Sequence, residues 1–317
     1  MSTIRSLTMA IALVTAAGNA AEGPLPAQAP ASTPAALKSP AHATTMRELL
    51  AASKPSDWRT LDPDHTLYIE LTNGRVVIEL APAFAPRHVA NIETIARAHW
   101  YDGLAITRVQ DNFVAQWGDP LGSRPEVGER RLPTEFTRSS APASFVRLKD
   151  PDTYASEVGF ADGFPMARSG AGGDAWLVHC YGMVGVGRDN DPATAIGTEL
   201  YAVIGQAPRQ LDRNAALVGR VVWGIELLAS LPRGTGELGF YEQPEQRVPI
   251  QTVRVAGELP PAERSPLEVL RTDTPLFQKL IEIRRNRRDA WYKTAAGRID
   301  LCNVPLPVRE KSDKPKG

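Results

Sequence analysis

The chain has 317 residues, with 36 Lys and Arg against 36 Asp and Glu, which leaves room for one large domain with extensions or for two small ones. Hydrophobic residues make up 43%, enough for a sizeable core and too many for a disordered chain. The balanced charge creates no global field to draw in nucleic acid or anionic lipid, so neither is expected as a partner without a local basic patch.

At the N-terminus Arg5 precedes an apolar run over residues 7–14, followed by small residues. Gly18 and Ala20 stand at −3 and −1 of a cleavage site before Ala21. Residues 1–20 therefore read as a cleaved signal peptide, in preference to an anchor or an amphipathic start. The run is too short to span a bilayer, so a periplasmic or secreted protein without stable membrane insertion is expected. Residues 21–64 form an Ala/Pro-rich linker and lead-in, with Pro24, Pro26 and Pro30 close together and a short helix over 46–53.

Two β-rich runs, residues 66–71 and 76–80, flank Asn73-Gly74. Both turn residues accept positive φ, so a hairpin is expected there. Pro86 suits a first helical turn, and Val89, Ile92, Ile95 and Ala96 follow at helical spacing. Residues 101–109 and 112–120 read as two short strands around a turn at Gln110-Asp111, and 121–180 as irregular, with Gly and Pro throughout. Strands resume over 183–186, 200–204 and 217–222, with a short helix over 225–231 and a closing strand over 249–255. Many short strands with two helices suggest a mainly β fold, a closed antiparallel barrel capped by two helices.

Residues 258–317 read as a helical C-terminal extension. Thr274-Pro275 starts a helix with Leu276, Phe277, Leu280 and Ile281 on one face, and Gly297 is placed to stop it. Arg284, Arg285, Arg287 and Arg288 are the nearest approach to a basic patch, but cations near a helix C-terminus are expected to be a solvated, dipole-favoured face. Cys180 and Cys302 are the two cysteines. In an exported chain they can form one disulfide, and the sequence leaves two free thiols equally open. There is no CxxC and no clustered His/Cys spacing, so no metal is expected. GxSxG, HExxH and Ser/His/Asp spacings are missing too, which argues against a hydrolase.

Glu79-Leu80-Ala81-Pro82, Tyr101-Asp102-Gly103, Arg108-Val109, Asn112-Phe113, Gln116 and Gly118-Asp119-Pro120 together resemble the first half of a cyclophilin domain, in order and at unbroken spacing. Gly182, Gly197-Thr198-Glu199, Tyr201, Leu211-Asp212 and Val218-Gly219-Arg220 follow in the order of the second half. The resemblance covers residues 65–257, with an insertion at about 137–178. It implies a cofactor-free, monomeric isomerase acting on X–Pro bonds of proline-containing polypeptides. The alternative is a catalytically weak proline-peptide binding module or chaperone on the same fold.

By that resemblance Arg108, Phe113 and Gln116 are catalytic: the donor to the twisted amide, the floor of the proline pocket, and a group that holds substrate or orients the arginine. Val114, Arg188, Glu199, Tyr201 and Leu211 are the substrate-binding candidates. Departures are many. Ile106-Thr107 replaces Phe-His, Trp117 a glycine, Gly187-Arg188 Ala-Asn, and Glu199 a glutamine; a pocket histidine falls near Ala215 and an aromatic near Gln210. The insertion, charged through Arg147, Lys149, Asp150, Asp152 and Glu157, is expected to be a solvated excursion, with a lid or partner surface as the alternative. His88 and His179 are assigned no role.

Overall fold

A computed structural model describes residues 44–289 and 291–311; the expected signal peptide and most of the Ala/Pro-rich linker lie outside the described residues. In chain order the elements begin with α1 (Met46–Ala51), β1 (Trp58–Thr60), β2 (Thr66–Leu71), β3 (Gly74–Leu80) and α2 (Pro86–Arg97). Next come β4 (Ala105–Val109), β5 (Val114–Gly118), β6 (Val146–Arg147), β7 (Glu157–Ala161), β8 (Phe164–Arg168) and β9 (Ala175–Leu177). The chain continues with β10 (Met183–Val186), β11 (Glu199–Val203), β12 (Leu217–Trp223), α3 (Ile225–Ala229) and β13 (Val248–Val255). It ends with β14 (Leu267–Leu270), α4 (Pro275–Arg285) and β15 (Val308–Glu310).

Eight of these strands close an antiparallel barrel in the order β10-β11-β5-β4-β13-β2-β3-β12. Alternation fills it. On β2, Leu67, Ile69 and Leu71 point inward, and on β5 Ala115 and Trp117 do. Val89, Ile92 and Ile95 of α2 enter the same core, as does Leu228 of α3, so these are the two capping helices. The β2–β3 hairpin forms where expected, but its turn is one residue earlier. Leu71 pairs with Gly74, leaving Thr72-Asn73 as the loop; Gly74 carries the positive φ, 145°, and Asn73 does not.

Residues 121–180 are not irregular. They contain a second sheet, β6-β7-β8-β9, and this sheet is not a solvated excursion. Val158, Phe160 and Met166 bury into a second core together with Trp58 of β1 and Phe277 and Leu280 of α4. Phe160 meets Phe277 edge to face with centroids 5.1 Å apart, and burying a phenylalanine is worth about 1.5–3 kcal/mol. Asp150 of the insertion pairs with Arg285 at 2.5 Å and accepts the Ile299 N–H at 3.1 Å.

The C-terminal region is built into this core. β14 lies between β1 and β15 in a third, three-stranded sheet. Helix α4 starts where the sequence places it, with the Thr274 hydroxyl accepting from Phe277 N–H, but it ends at Arg285 with no need of a following glycine. Gly297 instead returns from twelve residues further on to donate its N–H to the Arg285 carbonyl at 3.1 Å. Arg285 serves Asp150, and Arg287 serves Asp289 at 2.8 Å. Half the basic cluster is thus spent on structure. Cys180 and Cys302 are joined in a disulfide, tying the segment before β10 to the C-terminal region.

Candidate active site

One bulge decides which way Arg108 points. Ile106 pairs with Trp117 and both lie in the barrel core, yet the next pair is Arg108 with Gln116. Strict alternation would put Arg108 on the same inward face as Ile106. The register shift between Ile106 and Arg108 inserts Thr107 and turns Arg108 onto the outer face, as bulges do when they re-aim a side chain. On the neighbouring strands Gln116, Val114, Glu199, Tyr201 and Val203 share that outer face, in register from Tyr201 opposite Gln116 to Val203 opposite Val114.

On this face Arg108 donates from Nε to the Leu238 carbonyl at 2.7 Å, from one terminal nitrogen to Gln116 Oε1 at 3.0 Å, and from the other to the Gln110 side chain. Three of the five guanidinium N–H groups are engaged, leaving one on each terminal nitrogen. The cation lies 5.5 Å from the Phe113 ring centre and 5.4 Å from that of Phe240, within the range of cation–π attraction. Burial lowers its pKa and Glu199 opposes that; the group remains a cation. Gln116, 8% exposed, donates from Nε2 to Glu199 Oε2 at 2.6 Å. Burial pushes the Glu199 carboxyl above the usual glutamate range; Asp189 and Asp119 add to this, against the Gln116 hydrogen bond and Arg108.

Beside the polar row is an apolar floor. Val114, Tyr201 and Val203 form a small cluster with Phe113 and Ala215 packed against it. Phe113 is aimed by the β4–β5 turn, in which Asn112 adopts φ 51° and its Oδ1 accepts the Gln206 N–H at 2.7 Å. Asparagine tolerates that left-handed conformation better than most residues. Behind the floor the Tyr201 hydroxyl is 3.0 Å from His179 Nε2, and His179 Nδ1 is 2.9 Å from Asp212. Arg209 then bridges Asp212 at 2.7 Å and Asp152 at 2.8 Å.

Of the residues singled out in the sequence, Arg108, Phe113, Gln116, Val114, Glu199 and Tyr201 come together. Leu211 is half-buried on the turn Arg209–Leu211, outside the apolar cluster. Arg188 is exposed, with its guanidinium on the Asn214 and Asp189 carbonyls. Sequence reasoning missed Gln110, Leu238 and Phe240 around the arginine, and His179 behind Tyr201. Gln110 could have been found from its i, i+2 relation to Arg108; Leu238 and Phe240 arrive from 130 residues away with no local signal. Among the described residues no group of three His, Cys, Asp or Glu side chains could hold a metal.

Comparison with known proteins places the chain in a family. Residues 66–255 match the family described as cyclophilin type peptidyl-prolyl cis-trans isomerase/CLD. A probable peptidyl-prolyl cis-trans isomerase from Brucella suis is 27% identical over 195 residues, covering 58% of this chain and 81% of that protein. Human peptidyl-prolyl cis-trans isomerase-like 1 is 23% identical over 212 residues, 67% of this chain and 99% of its own length. The crystal structure of cyclophilin AquaCyp293 from Hirschia baltica superimposes with a TM-score of 0.65 at 28% identity, covering 86% of this chain and all of that one. That overlay takes in more of the chain than the segment 66–255.

Proposed function

The chain belongs to the cyclophilin-type peptidyl-prolyl cis–trans isomerases, and from that premise we propose that it catalyses rotation about X–Pro bonds of exported polypeptides through Arg108. Rotation faces a barrier of about 18–20 kcal/mol because amide resonance must be broken. No bond is made or cleaved, so the task is to hold the proline ring and stabilise the twisted amide, whose nitrogen regains a lone pair. The floor of Phe113 and Val114 would take the ring. Arg108, held by Leu238, Gln110 and Gln116, would offer its remaining N–H groups to the twisted amide, a preorganised donor that costs no reorganisation at the crossing point.

The bulge-directed alignment of Arg108 with Gln116 over Phe113 carries this reading. A protease-coupled isomerization assay tests it. Arg108→Ala is expected to lower kcat/KM by at least about tenfold, since losing one preorganised donor costs about 10²–10³ elsewhere, with folding intact by circular dichroism. Arg108→Lys should not restore the rate, because an ammonium lacks the planar fork. A mutant as fast as wild type would make Arg108 structural. The second reading, a proline-peptide binding module, draws support from Ala215 packed on the pocket floor, since the resemblance puts the family's histidine near that position. It prevails if wild type and Arg108→Ala both turn over at the uncatalysed rate while proline peptides still bind wild type. Export rests on Arg5 and the apolar run up to Ala20. Mass spectrometry of protein from the native host should find a mature N-terminus near Ala21, and an intact Met1 in a cytosolic fraction would overturn it.

A further inference from the structure

We propose that Glu199 is a positioning residue for this site: its ionised carboxylate locks the Gln116 amide with its oxygen toward Arg108, which makes the site's competence depend on pH. The proposal rests on the isomerase reading for its consequence in rate, and on geometry alone for the lock.

A guanidinium only donates hydrogen bonds and an ionised carboxylate only accepts them, whereas a side-chain amide has one end of each kind. Gln116 sits between the two, giving Nε2–H to Glu199 at 2.6 Å and taking one from Arg108 on Oε1 at 3.0 Å. Turning the amide over would set NH₂ against the guanidinium and C=O against the carboxylate, two repulsive contacts in place of two attractive ones. Gly187 leaves room for this pair. A Cβ there would press to 2.9 Å from the Glu199 Cβ and 3.4 Å from Gln116 Nε2, although the Gly187 N–H still reaches the Glu199 carbonyl at 2.9 Å. A neutral side chain at 199, glutamine or a protonated glutamate, can donate as well as accept, so it accommodates either orientation of Gln116. The carboxylate side of the lock then opens, and the amide, one of the three partners of Arg108, is oriented by the guanidinium alone.

The charged groups around Glu199 come from three neighbouring elements: Arg108 on β4, Asp119 just after β5, and Asp189 after β10. Asp119 is itself held by Ser123 and the Arg124 N–H, and Arg188 is turned away onto the Asn214 carbonyl. Burial and the two carboxylates lift Glu199 above the ordinary glutamate range. Four other carboxylates move the opposite way. Burial pushes Asp102, Glu135, Asp150 and Asp152 up, but side-chain hydrogen bonds from Arg254, His88, Arg285 and Arg209, in that order, together with backbone N–H bonds and the charge of the same partners, outweigh it and hold them low. Their contribution to stability is present above the unfolded carboxyl pKa of about 4 and is lost as pH falls through their depressed folded values. These four carboxylates therefore keep their ion pairs and hydrogen bonds at a pH where Glu199 takes up its proton.

The test is NMR exchange spectroscopy on a proline peptide between about pH 5 and 8, with the ¹⁵N side-chain resonance of Gln116 followed in parallel and identified by its loss in Gln116→Ala. In wild type, kcat should fall on acidification with a midpoint above the ordinary glutamate value, KM should move less, and the amide resonance should shift with the same midpoint. In Glu199→Gln both should be flat with pH, and kcat at neutral pH should be about three- to tenfold lower, the worth of one hydrogen bond. An acid limb that persists in Glu199→Gln, or a Gln116 amide that does not titrate in wild type, overturns the proposal. If wild type does not isomerise, the isomerase reading fails and the amide alone decides: a titrating amide keeps the lock, and a flat one removes it.

Discussion

Thr107 is the residue whose insertion into β4 turns Arg108 outward. Its carbonyl accepts the Tyr241 N–H at 3.0 Å, which ties the bulge to the segment that also brings Leu238 and Phe240 to the arginine. Its side chain does nothing comparable: among the described residues the buried Thr107 hydroxyl has no partner. An unsatisfied buried hydroxyl costs about 1–3 kcal/mol relative to an apolar group of the same shape. Thr107→Val keeps the β-branched outline and the backbone bond while removing that cost. It is expected to raise stability by about 1 kcal/mol, read as a higher urea midpoint at unchanged slope, and to leave Arg108 in place. A loss of similar size would mean that the hydroxyl is bonded after all.

At the scale of elements the insertion matters most, because it reaches the pocket floor from behind. Asp152 holds Arg209, Arg209 holds Asp212, Asp212 holds His179, and His179 meets the Tyr201 hydroxyl. The Asp152 and Arg209 side chains are 3% and 5% exposed, so removing one charge leaves the other buried and half-paired. Asp152→Ala should therefore cost about 3 kcal/mol by urea unfolding. A change within about 0.5 kcal/mol, the usual range for surface positions, would return the insertion to the status of a solvated loop. The barrel was largely legible in the chain because its strands alternate and its motif residues keep unbroken spacing from Tyr101 to Pro120. The second sheet carries one clear local signal. Asp162-Gly163 is a two-residue turn with both φ positive, 52° and 87°, between Ala161 and Phe164, the Asp-Gly hairpin form. Pro165 inside β8 and the surrounding Gly and Pro hid it, since proline normally argues against a strand. The β1-β14-β15 sheet carried no such signal, because its pairs join Trp58 to Leu270 and Leu267 to Glu310 and depend on long-range packing. Gln116 and Glu199 could be named from the sequence, but their hydrogen bond could not, because it needs the β5–β11 register.

The whole molecule is built on two principal cores, one inside the barrel and one shared by the insertion, α1, α4 and the C-terminal turn at Leu301. The Cys180–Cys302 bridge belongs to the second core and lies next to His179 in the chain, so it fastens the C-terminal region to the back of the candidate site. It spans 122 residues. In the chain-entropy relation, closing a loop of that size restricts the unfolded chain by about 5 kcal/mol, and measured bridges more often deliver about 2–4. Cys180 is 5% exposed, so the alanine variant also loses a little apolar contact. A serine there would bury a hydroxyl and confuse the measurement. Reducing the wild-type protein under native conditions is the cleaner experiment, since both sulfurs stay in place and the unfolded state alone is released. The expectation is a fall in unfolding free energy of about 2–5 kcal/mol, with Cys180→Ala/Cys302→Ala unfolding at a similar urea concentration and no longer responding to reductant. Non-reducing peptide mapping of the untreated protein should yield one linked peptide containing both cysteines. Two free thiols in the folded, air-exposed protein, or an unfolding midpoint indifferent to reductant, would show that packing around Phe277 and Leu301 alone holds the C-terminal region in place.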